Sequence, residues 1–308
     1  MQLTPIEIVD NISKEEFVRK YYHPQRPVLL RGLTDQWNDK WTFAHIRSLA
    51  GHQEVPLYNN ERTKGNKSTY EPVTRMNFGE YIDLLQSGPT DLRIFFYTIR
   101  DHCPELLEDF EYPDIGLKYF KRLPALFFGG SDSKVFPHYD IDLPDNLHIH
   151  FEGNKRVLLF SPDQSDALYK VPFSIHNVED IDLDNPDYNQ YPALKNVQGY
   201  EALMQHGDAL FMPSRWWHYI VYLDGGFSMT LRSLPRTVKG KLGMMYNVFI
   251  MRLVDNIMRK VKGQGWIDYK NVQAVRRTHK KIRLPGLIFD PVCTGTVVSC
   301  CRLSFSYK

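Results

Sequence analysis

The sequence predicts a mainly β fold with flanking helices: a double-sheet jelly roll followed by a C-terminal helical extension. Three observations predict it. Between residues 124 and 234, about eight short runs rich in aromatic and β-branched residues are separated by tight turns. An aromatic share of 13%, with 18 Tyr and 18 Phe, suits a β-rich core around a deep pocket. After residue 240 the apolar residues switch to helical spacing. The chain has 308 residues, 43% hydrophobic and 24% charged, and can bury a substantial core. Its net charge of +2 favours no class of partner.

Residues 1 to about 125 alternate short helices with short strands. Ser13-Lys-Glu-Glu16 is a capping box that opens a helix through Tyr22. Pro27-Val-Leu-Leu30 reads as a buried strand stopped by Gly32. Thr42 caps a helix ending at Gly51, and Asn77 opens another that runs to Ser87-Gly88. Arg93-Ile-Phe-Phe-Tyr-Thr98 is a strand by content, and Pro104 starts a helix through Phe110. The first run of jelly-roll strands is 125–128, 135–140, 147–151 and 156–160. The second is 200–204, 209–212, 218–223 and 227–233. Gly129-Gly130, Gly153-Asn154, His206-Gly207-Asp208 and Asp224-Gly225-Gly226 make the turns. Between the runs lies a polar insert, roughly 161 to 198, of a length that is often functional.

His138-Tyr139-Asp140 and, eighty residues later, His218 have the sequence form of a 2-His-1-carboxylate triad for Fe(II). On a strand, residues two apart share a face, so His138 and Asp140 are expected to reach one ion while Tyr139 faces away. A surface pair plus a hydrogen-bonded core histidine is the plainer reading of the same residues. A rival site uses His148-Ile-His150 on one strand, with Glu152 in the same parity and His218 completing it. Otherwise His148 and His150 line the pocket. On spacing alone Lys155 reads as a solvated turn lysine beside Asn154.

The flanks of these residues carry a resemblance. Residues 124 to 234 resemble the JmjC, cupin-like oxygenases that use Fe(II) and 2-oxoglutarate, in the style of the asparaginyl hydroxylase of hypoxia-inducible factor and the tRNA wybutosine hydroxylase. The shared landmarks run in order: His138-Tyr-Asp140, Asn146, Gly153-Asn-Lys155-Arg156 through Phe160-Ser-Pro162, Gly199-Tyr200, Gly207-Asp208, Pro213, Trp216-Trp217-His218 and Gly225-Gly226. The resemblance implies a cupin barrel with His138, Asp140 and His218 as iron ligands. It implies that Lys155 binds the far carboxylate of 2-oxoglutarate, with Asn146 assisting, and that Tyr97 touches this co-substrate. It also implies a dioxygenase that hydroxylates a protein, tRNA or small-molecule substrate and releases succinate and CO2. Arg232 departs from the pattern, standing where the asparaginyl hydroxylase has Asn. It shares a strand face with Ser228 and Thr230 and could compete with Lys155 for the co-substrate. A metal-binding cupin without oxygenase activity, and an RNA- or protein-binding module on the same scaffold, are the alternatives.

The expected organisation is an oxygenase domain over 1–238, a helical extension over 239–281 and a tail over 282–308. Met245, Phe249, Leu253, Val254, Ile257, Met258 and Val261 recur at helical spacing, which suits either a homodimer interface or packing on the barrel. A second helix, about 266 to 281, carries Lys270, Arg276, Arg277, Lys280 and Lys281; RNA binding is the minority reading against a solvated face. Cys103, Cys293, Cys300 and Cys301 lack zinc-finger spacing, so free thiols in a reducing compartment are expected. No signal-peptide pattern or membrane-length apolar run is found, and the expectation is a cytoplasmic protein that does not engage membranes.

Overall fold

The computed structural model describes residues 1–61 and 71–282. Before the jelly roll come β1 (Gln2–Pro5), β2 (Ile8–Asp10), β3 (Val28–Arg31), β4 (Glu54–Leu57), β5 (Thr74–Asn77) and β6 (Arg93–Thr98). The first half of the jelly roll is β7 (Ala125–Gly129), β8 (Lys134–His138), β9 (Asp145–Phe151) and β10 (Lys155–Phe160). The second half is β11 (Gln198–Met204), β12 (Ala209–Met212), β13 (Trp217–Tyr222) and β14 (Gly226–Ser233). All eight strands fall where the alternating runs and turns put them.

The eight divide four and four between two sheets. The larger has the order β2-β3-β12-β9-β14-β7-β6 and the smaller β1-β11-β10-β13-β8. Four strands outside the jelly roll, β1, β2, β4 and β5, were not expected from sequence. Two of them, β1 and β2, join by parallel pairing, β1 to the distant β11 and β2 to β3. A three- or four-residue edge strand has too few positions for a periodic signal.

Helices cap where the sequence says. Ser13 Oγ accepts from the Glu16 amide (3.2 Å), Thr42 Oγ1 from the His45 amide (3.2 Å) and Asn77 Oδ1 from the Gly79 amide (3.0 Å). Phe17, Phe43, Ile46, Phe78 and Ile82 of this layer pack on the outer face of the larger sheet, against Leu147, Ile149, Phe151 and Phe227. The insert between β10 and β11 buries its own apolar residues, among them Leu168, Tyr169, Ile181 and Leu194, on the outer face of the smaller sheet. One end of the space between the sheets is filled by apolar side chains such as Leu159, Leu210, Met212 and Ile220. The rest of that space is polar.

After β14 the chain is helical from Val238 to Lys262, with a π-helical stretch over Tyr246–Met251, and it returns through a second helix, Gln264–Ile282. Asp255 joins the two helices, accepting from Arg259 Nε (2.8 Å), Trp266 Nε1 (2.8 Å) and Lys270 Nζ (2.5 Å). The second helix docks on the insert, where Thr278 Oγ1 donates to the Asp166 carbonyl (2.7 Å) and Lys281 pairs with the Asp166 carboxylate.

Candidate metal centre

Two strands bring the histidines together. His218 of β13 lies opposite His138 of β8 in the antiparallel ladder, and a bulge follows between His218 and Ile220. The Nε2 atoms of the two rings stand 3.1 Å apart. His138 Nδ1 lies 2.8 Å from the Phe136 carbonyl and His218 Nδ1 lies 3.2 Å from the Trp216 carbonyl. A carbonyl takes a hydrogen bond only from a protonated nitrogen, so each ring carries its proton on Nδ1 and turns an Nε2 lone pair inward. Burial holds both imidazoles below their ordinary pKa, and for His138 the neighbouring His218 adds to the effect.

Asp140 completes the group, and one ligating atom from each residue lies within 4.8 Å of the others. The route differs from the strand alternation expected above. β8 stops at His138, so Asp140 reaches the histidines from the loop that leads to β9. Its carboxylate is held on both sides. Asn146 Nδ2 donates to Oδ2 (2.6 Å), and Arg232 Nη2 stands 3.5 Å from Oδ1. Burial opposes its ionisation, but the Arg232 guanidinium and the Asn146 hydrogen bond lower its pKa and favour the carboxylate. The donor set fits a divalent first-row ion. Two neutral imidazoles about 2.1 Å from such an ion at right angles would stand about 3 Å apart, and a hard carboxylate closes the third side.

From the histidines a polar wall leads inward. Ladder pairing sets Arg232 opposite Asn146, Thr230 opposite His148 and Ser228 opposite His150. His148 Nδ1 lies 2.8 Å from Thr230 Oγ1, and His150 Nδ1 lies 2.9 Å from Ser228 Oγ. Burial, then the proximity of Lys155, keeps both imidazoles well below their usual pKa. Lys155 is not a solvated turn residue. It begins β10, paired with Met204 and Tyr222, and its side chain is fully buried. Its amine reaches Ser228 Oγ and His148 Nε2 (3.2 Å) and sits 4.1 Å over the Tyr222 ring. No acidic side chain pairs with it among the described residues, and burial pushes its pKa well below the ordinary lysine range.

Two other expected residues do not join Lys155. The Arg232 guanidinium is committed to Asp142, with Nη1 at 2.7 and 2.8 Å from the two carboxylate oxygens, and lies 5.1 Å over the Phe96 ring. It therefore braces the metal-side loop, in contrast to the expected competition with Lys155. Tyr97 faces away from the barrel. Its hydroxyl donates to Gln53 Oε1 (2.9 Å) and its ring packs on Phe78 in the outer core. The reason is an irregular register in β6 between Ile94 and Tyr97, with Phe96 at φ 64°, which swaps the parity of the strand. Phe96, not Tyr97, meets the site through Arg232.

The rival metal site is not assembled. His148 Nε2 faces the Lys155 amine, and Glu152 leaves the strand face at φ 58°, where its carboxylate accepts from the Phe43 amide (3.0 Å). Among the described residues, His138, Asp140 and His218 are the group that gathers ligand atoms. The basic helix is likewise partly spent on structure, since Lys270 and Lys281 hold Asp255 and Asp166. Asp142 and Tyr222 went unnoticed in the sequence, whereas Phe96 stands beside Tyr97 at the position the resemblance points to. An HxDxD reading of 138–142 would have pointed to Asp142.

Residues 13–249 match the cupin-like domain family. The chain belongs to this family. Lysine-specific demethylase 8 of Xenopus tropicalis is 30% identical over 225 residues, which cover 71% of this chain and 50% of that protein. The tRNA wybutosine-synthesizing protein 5 of Gallus gallus is 27% identical over 247 residues, covering 72% of this chain and 75% of the relative. Lysine-specific demethylase JMJ30 of Arabidopsis thaliana is 26% identical, with 73% of this chain and 54% of the plant protein covered. The chain thus spans about half the length of these two demethylases. None of the described helices is long and apolar enough to cross a membrane. Cys103 is a buried free thiol, and the other three cysteines, like the tail over 283–308, lie outside the described residues.

Proposed function

We propose that this protein is an Fe(II)- and 2-oxoglutarate-dependent dioxygenase of the hydroxylase type. His138, Asp140 and His218 would hold the ion. Bound there, Fe(II) would bring a 2-oxo acid and oxygen together; oxygen is the oxidant, with one atom entering the substrate C–H bond as hydroxyl and the other entering succinate as CO2 leaves.

The observation that carries this reading is Lys155. A fully buried amine with no acidic partner among the described residues is costly unless an anion joins it. The far carboxylate of 2-oxoglutarate is such an anion, and a buried ammonium pairs with it as a point charge. Ser228 and Tyr222 hold the amine in place, and the Thr230 contact fixes the orientation of His148 beside it. Asn146 and the Arg232–Asp142 pair keep Asp140 from turning. The substrate proposed is a protein side chain, a tRNA base or a small molecule; two relatives carry lysine and tRNA in their names.

The test is succinate formation by anaerobically reconstituted protein given Fe(II), 2-oxoglutarate and oxygen, alongside 2-oxoglutarate binding to the metal-loaded protein. Slow turnover abolished by Asp140→Ala and by Lys155→Ala is expected. No turnover together with no 2-oxoglutarate binding would overturn the proposal.

A further inference from the structure

Beyond the metal centre the surface departs from an ordinary mixed coat in two places. One is the helix over 238–262, where the apolar stripe of Phe249, Leu253, Ile257 and Val261 is turned to solvent. The other is a basic turn at the metal end of the barrel, Lys118-Tyr-Phe-Lys-Arg122.

The backbone of this turn is tied to the site. Tyr119 bridges Ser233 at the end of β14, and the Phe120 amide donates to the Arg232 carbonyl (2.7 Å). Arg232 is the residue that braces Asp140 and Asp142. The Leu123 amide closes the turn on the Phe120 carbonyl (3.1 Å). From the short helix after β6, Arg100 Nη2 donates to the Lys121 carbonyl (3.4 Å), and the Lys121 amine stands 5.0 Å over the Tyr112 ring. Arg100, Lys118, Lys121 and Arg122 thus share one exposed rim, and none pairs with a carboxylate among the described residues. Phe120 stands 37% exposed among them, and Phe95 is 51% exposed beside Phe96, whose ring lies under the Arg232 guanidinium. Like charges held this close repel one another, and an anionic partner relieves the repulsion.

We infer that this rim docks an acidic segment of a partner protein, with carboxylates on the cations and an apolar side chain on Phe120. The segment would then run beside the metal centre. That it is the substrate rests on the oxygenase reading; the docking itself does not. Size and surroundings favour a protein segment over a nucleic acid. The basic turn is short, and the exposed Asp101, Glu105, Glu108 and Glu111 precede it in the chain. A nucleic acid gains its affinity from many phosphates laid along a continuous basic track.

Fluorescence anisotropy tests this with the Co(II)-loaded full chain and a labelled peptide of Glu and Asp around one Leu. At low ionic strength the peptide should bind. Lys121→Glu with Arg122→Glu should weaken it more than about 10-fold, with circular dichroism and Co(II) affinity unchanged. The same charge change at Arg276→Glu with Arg277→Glu, both exposed on the second helix, should move it less than about twofold. Exchanging the peptide's Leu for Ser should weaken binding to the wild type but not to Phe120→Ser. A peptide that fails to bind, or that loses as much with the helix pair as with the rim pair, overturns the inference. A single-stranded RNA of equal length that binds more tightly than the peptide, and is released by the rim pair, overturns it in favour of nucleic acid. Binding is read here without oxygen or turnover, so its failure is distinct from failure of the succinate test.

Discussion

Strands β9 and β14 present two faces, both buried and opposite in chemistry. Outward, Leu147, Ile149 and Phe151 with Phe227, Met229 and Leu231 meet the helical layer in a continuous apolar core. Inward, Asn146, His148 and His150 with Ser228, Thr230 and Arg232 meet one another across the same ladder. Alternation along a strand puts a stabilising surface and a polar one on one backbone, one residue apart. The outward face has its apolar contacts complete. The inward face leaves Asn146 Oδ1, His150 Nε2 and Arg232 Nε buried without a hydrogen-bond partner. Groups of that kind lower stability unless something polar meets them.

The sharpest way to break the comparison is to exchange the consequences of mutating the two faces. Phe151→Ala on the outward face should cost about 3–5 kcal/mol in a denaturant titration. The folded fraction should keep its metal affinity. Asn146→Ala on the inward face should do the reverse. It frees one oxygen of Asp140, and Co(II) affinity by calorimetry should fall about 10–100-fold with little change in the unfolding midpoint. If both substitutions acted mainly on stability, the inward face would be just another core.

A smaller effect sharpens the contrast. Burial depresses the pKa of Lys155 in the folded state, whereas the unfolded chain holds its proton up to the ordinary lysine range. The unfolded state therefore binds more protons in the window from the depressed value up to about 10.4. Stability should rise with pH across that window, by at most about 1.4 kcal/mol per unit for one proton, and fall back as pH drops through the folded pKa. Comparing urea midpoints of the wild type and Lys155→Met over that range measures it. Equal slopes would mean that Lys155 keeps its proton in the fold. An anion beside the amine raises its pKa again, so 2-oxoglutarate binding in the same window should take up a proton.

Local chemistry made much of this legible in advance. The eight strands are readable because each is a short apolar run closed by Gly, Asn or Asp, and the caps at Ser13, Thr42 and Asn77 because capping is decided within four residues. The group His138, Asp140 and His218 was nameable because its residue types and spacing carry the chemistry. The burial of Lys155 was not readable from spacing, and only the family resemblance singled the residue out, since a lysine beside a Gly-Asn turn looks the same whether it points to water or into a barrel. Only the pairing of β10 with β11 and β13 turns it inward.

Tyr97 and Arg232 mark the other limit. Strand parity is a count from one end, and a single irregular residue, Phe96, reverses it without leaving a trace in composition. Arg232 looked available because its partner Asp142 is ninety residues distant in sequence. The sequence by itself determined which residues could bind a metal and an anion, where the strands begin and end, and that an apolar helical stripe follows them. Tertiary structure decided which way each side chain faces, which charges neutralise each other, and that the stripe is turned outward. The physical reason is range: capping, turns and periodicity are settled within a few residues, whereas orientation and charge pairing depend on strands and loops that meet only when the chain has folded.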